Sequence, residues 1–129
     1  MRIGYIRWAP GRRLIPGLGS SVSPKLYKRH EGVREVYVPE QEAVVACRSI
    51  ARSTGLLLGG SSGSAIAAIA RVANDICPED SVIAICPDMG EKYLDTIYDD
   101  IWVSTHFPEL KPIVTHDNEI HEEIRWDMP

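Results

Sequence analysis

Residues 56–73, "LLLGGSSGSAIAAIARVA", decide how this chain is read. Three leucines run into two glycines, two serines and a third glycine, and then into a stretch that is almost wholly small and apolar. The leucines read as a short strand, residues from about Ser64 to Cys77 as a helix, and the glycine–serine segment as the turn between them. The helix is apolar nearly all round, through Ala65, Ile66, Ala67, Ala68, Ile69, Ala70, Val72, Ala73 and Ile76. Such a helix is enclosed on several sides. A packing turn needs one glycine, so the extra ones point to something approaching the backbone: Gly59 and Gly60 admit a ligand, and Gly63 permits tight packing. The segment also sets free N–H groups and hydroxyls at the positive end of a helix dipole. The plainer alternative is an ordinary cap, with Ser61 or Ser62 satisfying the first helix amides.

Outward from this stretch the chain alternates strands and helices. "REVYV" (34–38) is a strand by its alternation and β-branched content. Pro39 opens a helix, "PEQEAVVACRSIARSTG", with Glu40 and Glu42 in its first turn, Arg48 and Arg52 near its end and Gly55 at the position after it. Ala43, Val44, Cys47, Ile50 and Ala51 form one apolar stripe, so this helix covers a core on one side. "SVIAIC" (81–86) is a continuous apolar run of the kind found in parallel strands buried on both faces. Pro87 and Gly90 end it, "EKYLDTIYDD" starts a short helix, and "IWVSTHF" reads as an edge strand or loop. Residues 1–33 read as irregular, with at most one helical turn near "SPKLYKRH". The order β-α-(β)-α-β-α makes this an α/β domain with a small parallel sheet and flanking helices.

Bulk properties narrow the class. At 129 residues the chain is the size of one ordinary domain. Its 44% hydrophobic and 25% charged residues exclude wholesale disorder. A net charge of −4, with Lys and Arg spread along the chain, argues against a nucleic-acid partner. No apolar run reaches the ~20 residues of a membrane span, and "MRIGYIRWAP" is too polar and short for a signal peptide. Cys47, Cys77 and Cys86 are an odd set with no CxxC, and read as reduced core thiols of a cytoplasmic protein.

Three pieces stand in a meaningful order: "GRRLIPGLGSS" (11–21), "GGSSGSA" (59–65) and "ICPDMGEKYLDTIYDD" (85–100). Each is moderately specific alone; the ordered trio is strong. Together they resemble the C-terminal part of the cysteine synthase family of pyridoxal phosphate enzymes (fold type II). The resemblance runs from about Gly11 to His106 and is greatest to the branch that makes N-(2-amino-2-carboxyethyl)-glutamate on the way to 2,3-diaminopropionate. It implies that residues 1–107 are the C-terminal portion of a synthase domain, with 1–10 an atypical start, and that 108–129 are an acidic, partly irregular tail.

The resemblance also implies roles. Ser61 matches the serine whose hydroxyl meets the pyridine nitrogen of the cofactor. A carboxylate there would hold the nitrogen protonated and make the ring a strong electron sink. A neutral hydroxyl leaves a weaker sink, sufficient for eliminating a good leaving group from Cβ and adding a nucleophile; the protein tunes the ring and the cofactor carries the reaction. Gly17 and Gly19 match a loop on the substrate side, and Pro87, Asp88 and Gly90 match the turn beside the pyridine edge. Met89 departs from the serine or threonine common in cysteine synthases, which is compatible with the diaminopropionate branch. The implied reaction joins an activated serine, O-phosphoserine or O-acetylserine, to a nucleophile, glutamate before sulfide.

Absences weigh as much. The family holds the cofactor's aldehyde on a lysine near its N-terminus and its phosphate in a Gly/Thr-rich loop. Lys25, Lys28, Lys92 and Lys111 are the four lysines here, and none stands in that context. The expectation is a C-terminal fragment or subunit, inactive alone, whose apolar helix and "SVIAIC" strand lack their cover. Such a chain associates with copies of itself or with the missing N-terminal part. The alternative is a non-catalytic interaction or regulatory module that keeps the fold. His116, Glu119, His121 and Glu122 could make a metal site, but an acidic tail is the better reading, and no metal is expected. Trp8, Trp102 and Trp126 are scattered and read as packing residues. Cys86 lies just before "PDMG", yet a buried strand thiol is the better reading than one beside the cofactor.

Overall fold

A computed structural model describes residues 2–6 by their backbone, and residues 13–19, 22–23 and 25–110 in full. Two strands, β1 (Arg2–Ile6) and β2 (Val33–Tyr37), pair in parallel with Ile3 opposite Arg34 and Tyr5 opposite Val36. Parallel pairing needs a long connection, and residues 7–32 lie between the two strands in sequence. β1 corrects the expectation that 1–33 is irregular throughout; within the segment read as at most one helical turn, residues 25–26 form a turn.

Helix α1 (Glu40–Thr54) forms where its local signals place it. Pro39 precedes it at φ −61°, Glu40 and Glu42 face the positive end of the dipole, and Gly55 closes it at φ +78° with its N–H on Ala51 O at 2.9 Å. Its buried face, Ala43, Val44, Ala46 and Cys47, is a little wider than the expected stripe. Arg48 also goes inward, donating to Ile97 O at 3.0 Å and pairing with Asp100.

Helix α2 (Gly60–Arg71) starts four residues earlier than expected and ends six earlier, with a 3-10 turn following at Ala73–Asp75. The glycine–serine segment is therefore the first turn of the helix and not the loop before it. α2 lies so close to α1 that a side chain at Gly63 would overlap Ala43 O and Cys47 Sγ. Only part of its apolar surface is enclosed: Ala67, Ala68 and Val72 are buried, while Ala65, Ile66, Ile69 and Ala70 are half-buried.

The two remaining strand expectations are not met. Residues 56–58 contribute one antiparallel bridge, Leu58 to Met89. The run 81–86 pairs with nothing among the described residues, and Val82, Ile83 and Ile85 are 48%, 87% and 81% exposed. A strand buried on both faces needs neighbours on both edges and a layer on each side, and the described residues supply neither. Cys77 and Cys86 are exposed, which corrects the reading of three core thiols; only Cys47 is buried.

Beyond this run the chain returns to the core. Gly90–Tyr93 form a 3-10 turn in place of the expected helix at 91–100. Residues expected as an edge strand or loop form helix α3 (Asp100–His106), capped by the Asp99 carboxylate, which accepts from Trp102 N at 2.6 Å. Trp102 stacks on His106, one turn on, at 4.3 Å between ring centres. Val103 and Phe107 complete a core with Ile15, Leu18, Ala43, Val44, Cys47, Leu58 and Ile97. No described helix is long and apolar enough to cross a membrane. The tail from 111, with His116, Glu119, His121, Glu122 and Trp126, lies outside the described residues, as does Trp8.

Candidate functional site

The described parts of the three pieces, 13–19, 59–65 and 85–100, meet at the start of α2. Gly59 N donates to Asp88 O at 3.1 Å and Gly90 N donates to Leu57 O at 2.8 Å, which locks 57–59 against 88–90. The loop "IPGLG" closes from the other side. Leu18 N donates to Ile15 O, and Gly17 sits at φ +73° after Pro16, the residue order of a type II turn. That turn carries Ile15 and Leu18 into the core beneath α2. A side chain at Gly60 would come within 2.8 Å of Ile15 Cγ2.

The glycines thus answer to packing within the chain. The space a side chain would need at Gly59 is filled by the Asp88 carboxylate, and at Gly60 by Ile15 and Leu18. At Gly90 it is filled by Leu57 and the Tyr98 ring. The expectation that Gly59 and Gly60 hold room for a ligand is corrected: Asp88 and Ile15 occupy it. Gly17 differs, since it is exposed and has nothing within 4 Å of the position a Cβ would take. Gly19 is likewise exposed, at φ +76°.

The serines do not cap α2. Gly59 is the capping residue and no side chain bonds the first amides. Instead Ser61 Oγ donates to Asp88 Oδ1 at 3.2 Å, and Ser62 Oγ donates to Asp88 O at 3.3 Å. Ser64 turns back onto Gly60 O at 3.1 Å. Ser62 and Ser64 are buried, whereas Ser61 is half-buried. Tyr93 completes the group by donating its hydroxyl to Asp88 Oδ2 at 2.8 Å. Tyr93 escapes a reading by motif; its signal is a hydroxyl five residues after Asp88, on the far side of the 3-10 turn.

Below this polar group lies a buried layer. Tyr98 accepts from Leu58 N and donates to Leu58 O, both at 2.7 Å, and Cys47 Sγ lies 3.4 Å from Gly59 O. Burial pushes the Cys47 thiol up to about 12. Burial, and then the hydrogen bond to Asp88, pushes the Tyr93 phenol up to about 12, and burial with Cys47 nearby does the same to Tyr98. All three are therefore neutral donors at neutral pH.

A groove of about 320 Å³ opens elsewhere, between α1 and α2, lined by Gln41, Val45, Ala46, Ala67, Ala70 and Leu110 beside the Glu42–Arg71 ion pair. None of the expected site residues lines it.

The class follows from these pieces and from a family comparison that agrees with them. Residues 4–88 match the pyridoxal-phosphate dependent enzyme family, and the chain belongs to it. The family's fold is the type II α/β fold and its cofactor is pyridoxal phosphate. Among curated proteins it is similar to the N-(2-amino-2-carboxyethyl)-L-glutamate synthase of Ralstonia nicotianae, at 36% identity over 95 residues. Those residues are 74% of this chain and 28% of the relative, so the chain corresponds to under a third of that synthase.

Toward a pyridine nitrogen the described residues present a half-buried hydroxyl, Ser61, beside the Asp88 carboxylate. The aldehyde end finds no match among the described residues: Lys25, Lys28 and Lys92 are all exposed. Lys111 lies outside them.

Proposed function

We propose that this chain is the pyridine-binding part of a pyridoxal-phosphate-dependent β-replacement enzyme. The complete enzyme joins an activated serine, O-phosphoserine or O-acetylserine, to a nucleophile, with glutamate as the first choice and sulfide as the second. Family membership and the Ralstonia relative support the reaction class. The observation that carries the reading is the meeting of Ser61 with Asp88 at the start of α2, over a distance of 27 residues in sequence.

In this reading the cofactor supplies the electron sink that lets a leaving group depart from Cβ and a nucleophile replace it. The chain's own residues do the positioning. Ser61 Oγ takes the ring nitrogen, Asp88 and Gly90 shape the wall beside it, and Gly17 and Gly19 offer an open, side-chain-free edge to the amino-acid substrate. The lysine that would hold the aldehyde and move the Cα proton comes from polypeptide other than these 129 residues. That polypeptide, or a second copy of the chain, covers 81–86.

Two measurements test this. Incubated with pyridoxal phosphate, O-phosphoserine and glutamate, the chain forms no product, and borohydride reduction followed by peptide mass spectrometry finds no single modified lysine. Product together with one specifically labelled lysine overturns the assignment of these residues to the pyridine side alone. A second reading, a non-catalytic interaction module, draws on the exposed apolar run at 81–86. It predicts a stable complex with a protein that carries no synthase sequence, which mass spectrometry of the purified complex distinguishes.

A further inference from the structure

The groove of about 320 Å³ between α1 and α2 is lined mainly by apolar side chains, Val45, Ala46, Ala67, Ala70 and Leu110. Val45 and Ala70 are only half-buried, so apolar surface on both helices is left facing water. We infer that the segment following Leu110 lies in this groove, with Ile113 and Val114 covering the part of α2 that α1 leaves open. This placement goes beyond the cofactor reading and does not depend on it.

Leu110 is both a wall of the groove and the last described residue, so the chain is delivered to the groove and continues from it. Its own position is held: Leu110 N donates to Phe107 O at 2.9 Å, and its side chain packs against the core that Phe107 completes. The next four residues are "KPIV" (111–114). Pro112 disfavours helix at Lys111, which suits a chain that leaves Leu110 extended. An extended chain advances about 3.3–3.6 Å per residue, so Ile113 and Val114 come about 10–14 Å from Leu110. The groove is short enough for that reach. Its lining runs from Gln41 to Ala46 on α1 and from Ala67 to Arg71 on α2, about 8 Å and 6 Å of helix. Successive side chains of an extended chain alternate in direction, so the pair straddles the groove, one against α1 and the other against α2. Polarity selects the same two residues. Glu42 and Arg71, beside the groove, satisfy each other, which leaves an apolar surface for an apolar occupant. Beyond Thr115 the sequence turns acidic, with Asp117, Glu119, Glu122 and Glu123, and burying those charges without partners would be costly.

The test is disulfide trapping in the 129-residue chain, with the exposed Cys77 and Cys86 changed to serine and the buried Cys47 kept. Ala70→Cys is combined with Ile113→Cys or with Val114→Cys, and the control pairs each of the latter with Ser53→Cys, an exposed position on α1 that does not line the groove. In oxidised glutathione and dilute protein, one of the two Ala70→Cys pairs should close within the chain about tenfold faster than its control, because docking raises the local concentration of the second thiol. Equal rates at both positions, or no link to position 70, overturn the inference. Links between chains that grow with protein concentration overturn it as well, and assign the groove to a second copy. Should the cysteine variants lose their fold by circular dichroism, Ile113→Asp with Val114→Asp in the otherwise unaltered chain decides. Deuterium uptake across 41–46 and 67–71 should then rise about threefold relative to 97–103. Uptake that is unchanged there, or that rises equally in all three segments, overturns the inference.

Discussion

The start of α2 and the run at 81–86 are the two most strongly patterned parts of this sequence, and they end in opposite states. At the start of α2, glycines meet packing partners from two other segments and each serine hydroxyl finds an acceptor. At 81–86, three large aliphatic side chains stand in solvent and the backbone pairs with nothing among the described residues. The first is a junction whose parts all lie within the chain. The second has the sequence of a strand without forming one among the described residues, and a strand acquires its structure from neighbours. The contrast separates what a segment specifies by itself from what it asks of other segments.

The largest expected effect tests the closed region. Gly63→Val places a branched side chain against Ala43 O and Cys47 Sγ and forces α1 and α2 apart. We expect a loss of about 3 kcal/mol in urea denaturation, at the upper end for overpacking. A variant as stable as the parent would mean that the two helices do not lie in contact there.

Removing the inward cation comes next. Arg48→Ala leaves Ile97 O without its donor and Asp100 without its partner, at a cost of about 2 kcal/mol by the same measurement. An unchanged midpoint would place this arginine in solvent.

A pH series sharpens the comparison further. Cys47 is held up at about 12 when folded against an ordinary 9.0, and Tyr93 and Tyr98 at about 12 against 10.0. Above pH 9 the unfolded chain loses these protons first while the folded chain keeps them. The unfolded state then binds fewer protons, and stability falls as pH rises from 9 toward 12. For Cys47 the slope is on the order of 1 kcal/mol per pH unit. Denaturation of Cys47→Ala at pH 8 and pH 11 isolates it: the fall should be shallower than in the parent, and an equal fall would put the thiol outside the core.

The smallest effect on stability belongs to the open region. Ile83→Lys combined with Ile85→Lys should change the unfolding free energy by less than about 0.5 kcal/mol, as for exposed sites generally. The same change should lower self-association in size-exclusion chromatography, since charged side chains discourage strand-to-strand pairing. Loss of the fold in this variant would show that the run packs inside the chain, and the comparison would collapse.

The same contrast governs what could be read from sequence. α1 was legible almost to the residue, because Pro39, the early glutamates and Gly55 act within one turn of the helix ends they define. α3 was legible in principle, since Asp99 caps Trp102 three residues on, but the β-branched and aromatic content of 101–107 outweighed that signal. β1 depends on a partner 31 residues away, Val33 opposite Arg2, and no local pattern announces it. The apolar run was read as a strand buried on both faces, and among the described residues it is neither paired nor buried. In the candidate site, the resemblance named Ser61 and Asp88, and the structure brings them to 3.2 Å. The local reading of the serines as caps failed, because a hydroxyl's choice between its own helix and a distant carboxylate is made by tertiary contact. Tyr93 was missed for the same reason.

The carboxylate of Asp88 lies where position 59 would otherwise carry its first side-chain carbon. Residues 59 and 88 therefore share one parcel of space, and a change at either is a change at both. A homologue that gains bulk at the first must shorten or swing out the second, and with it goes the brace on the neighbouring serine. Protein engineers who wish to alter that hydroxyl's orientation can work from the helix start without touching the serine at all.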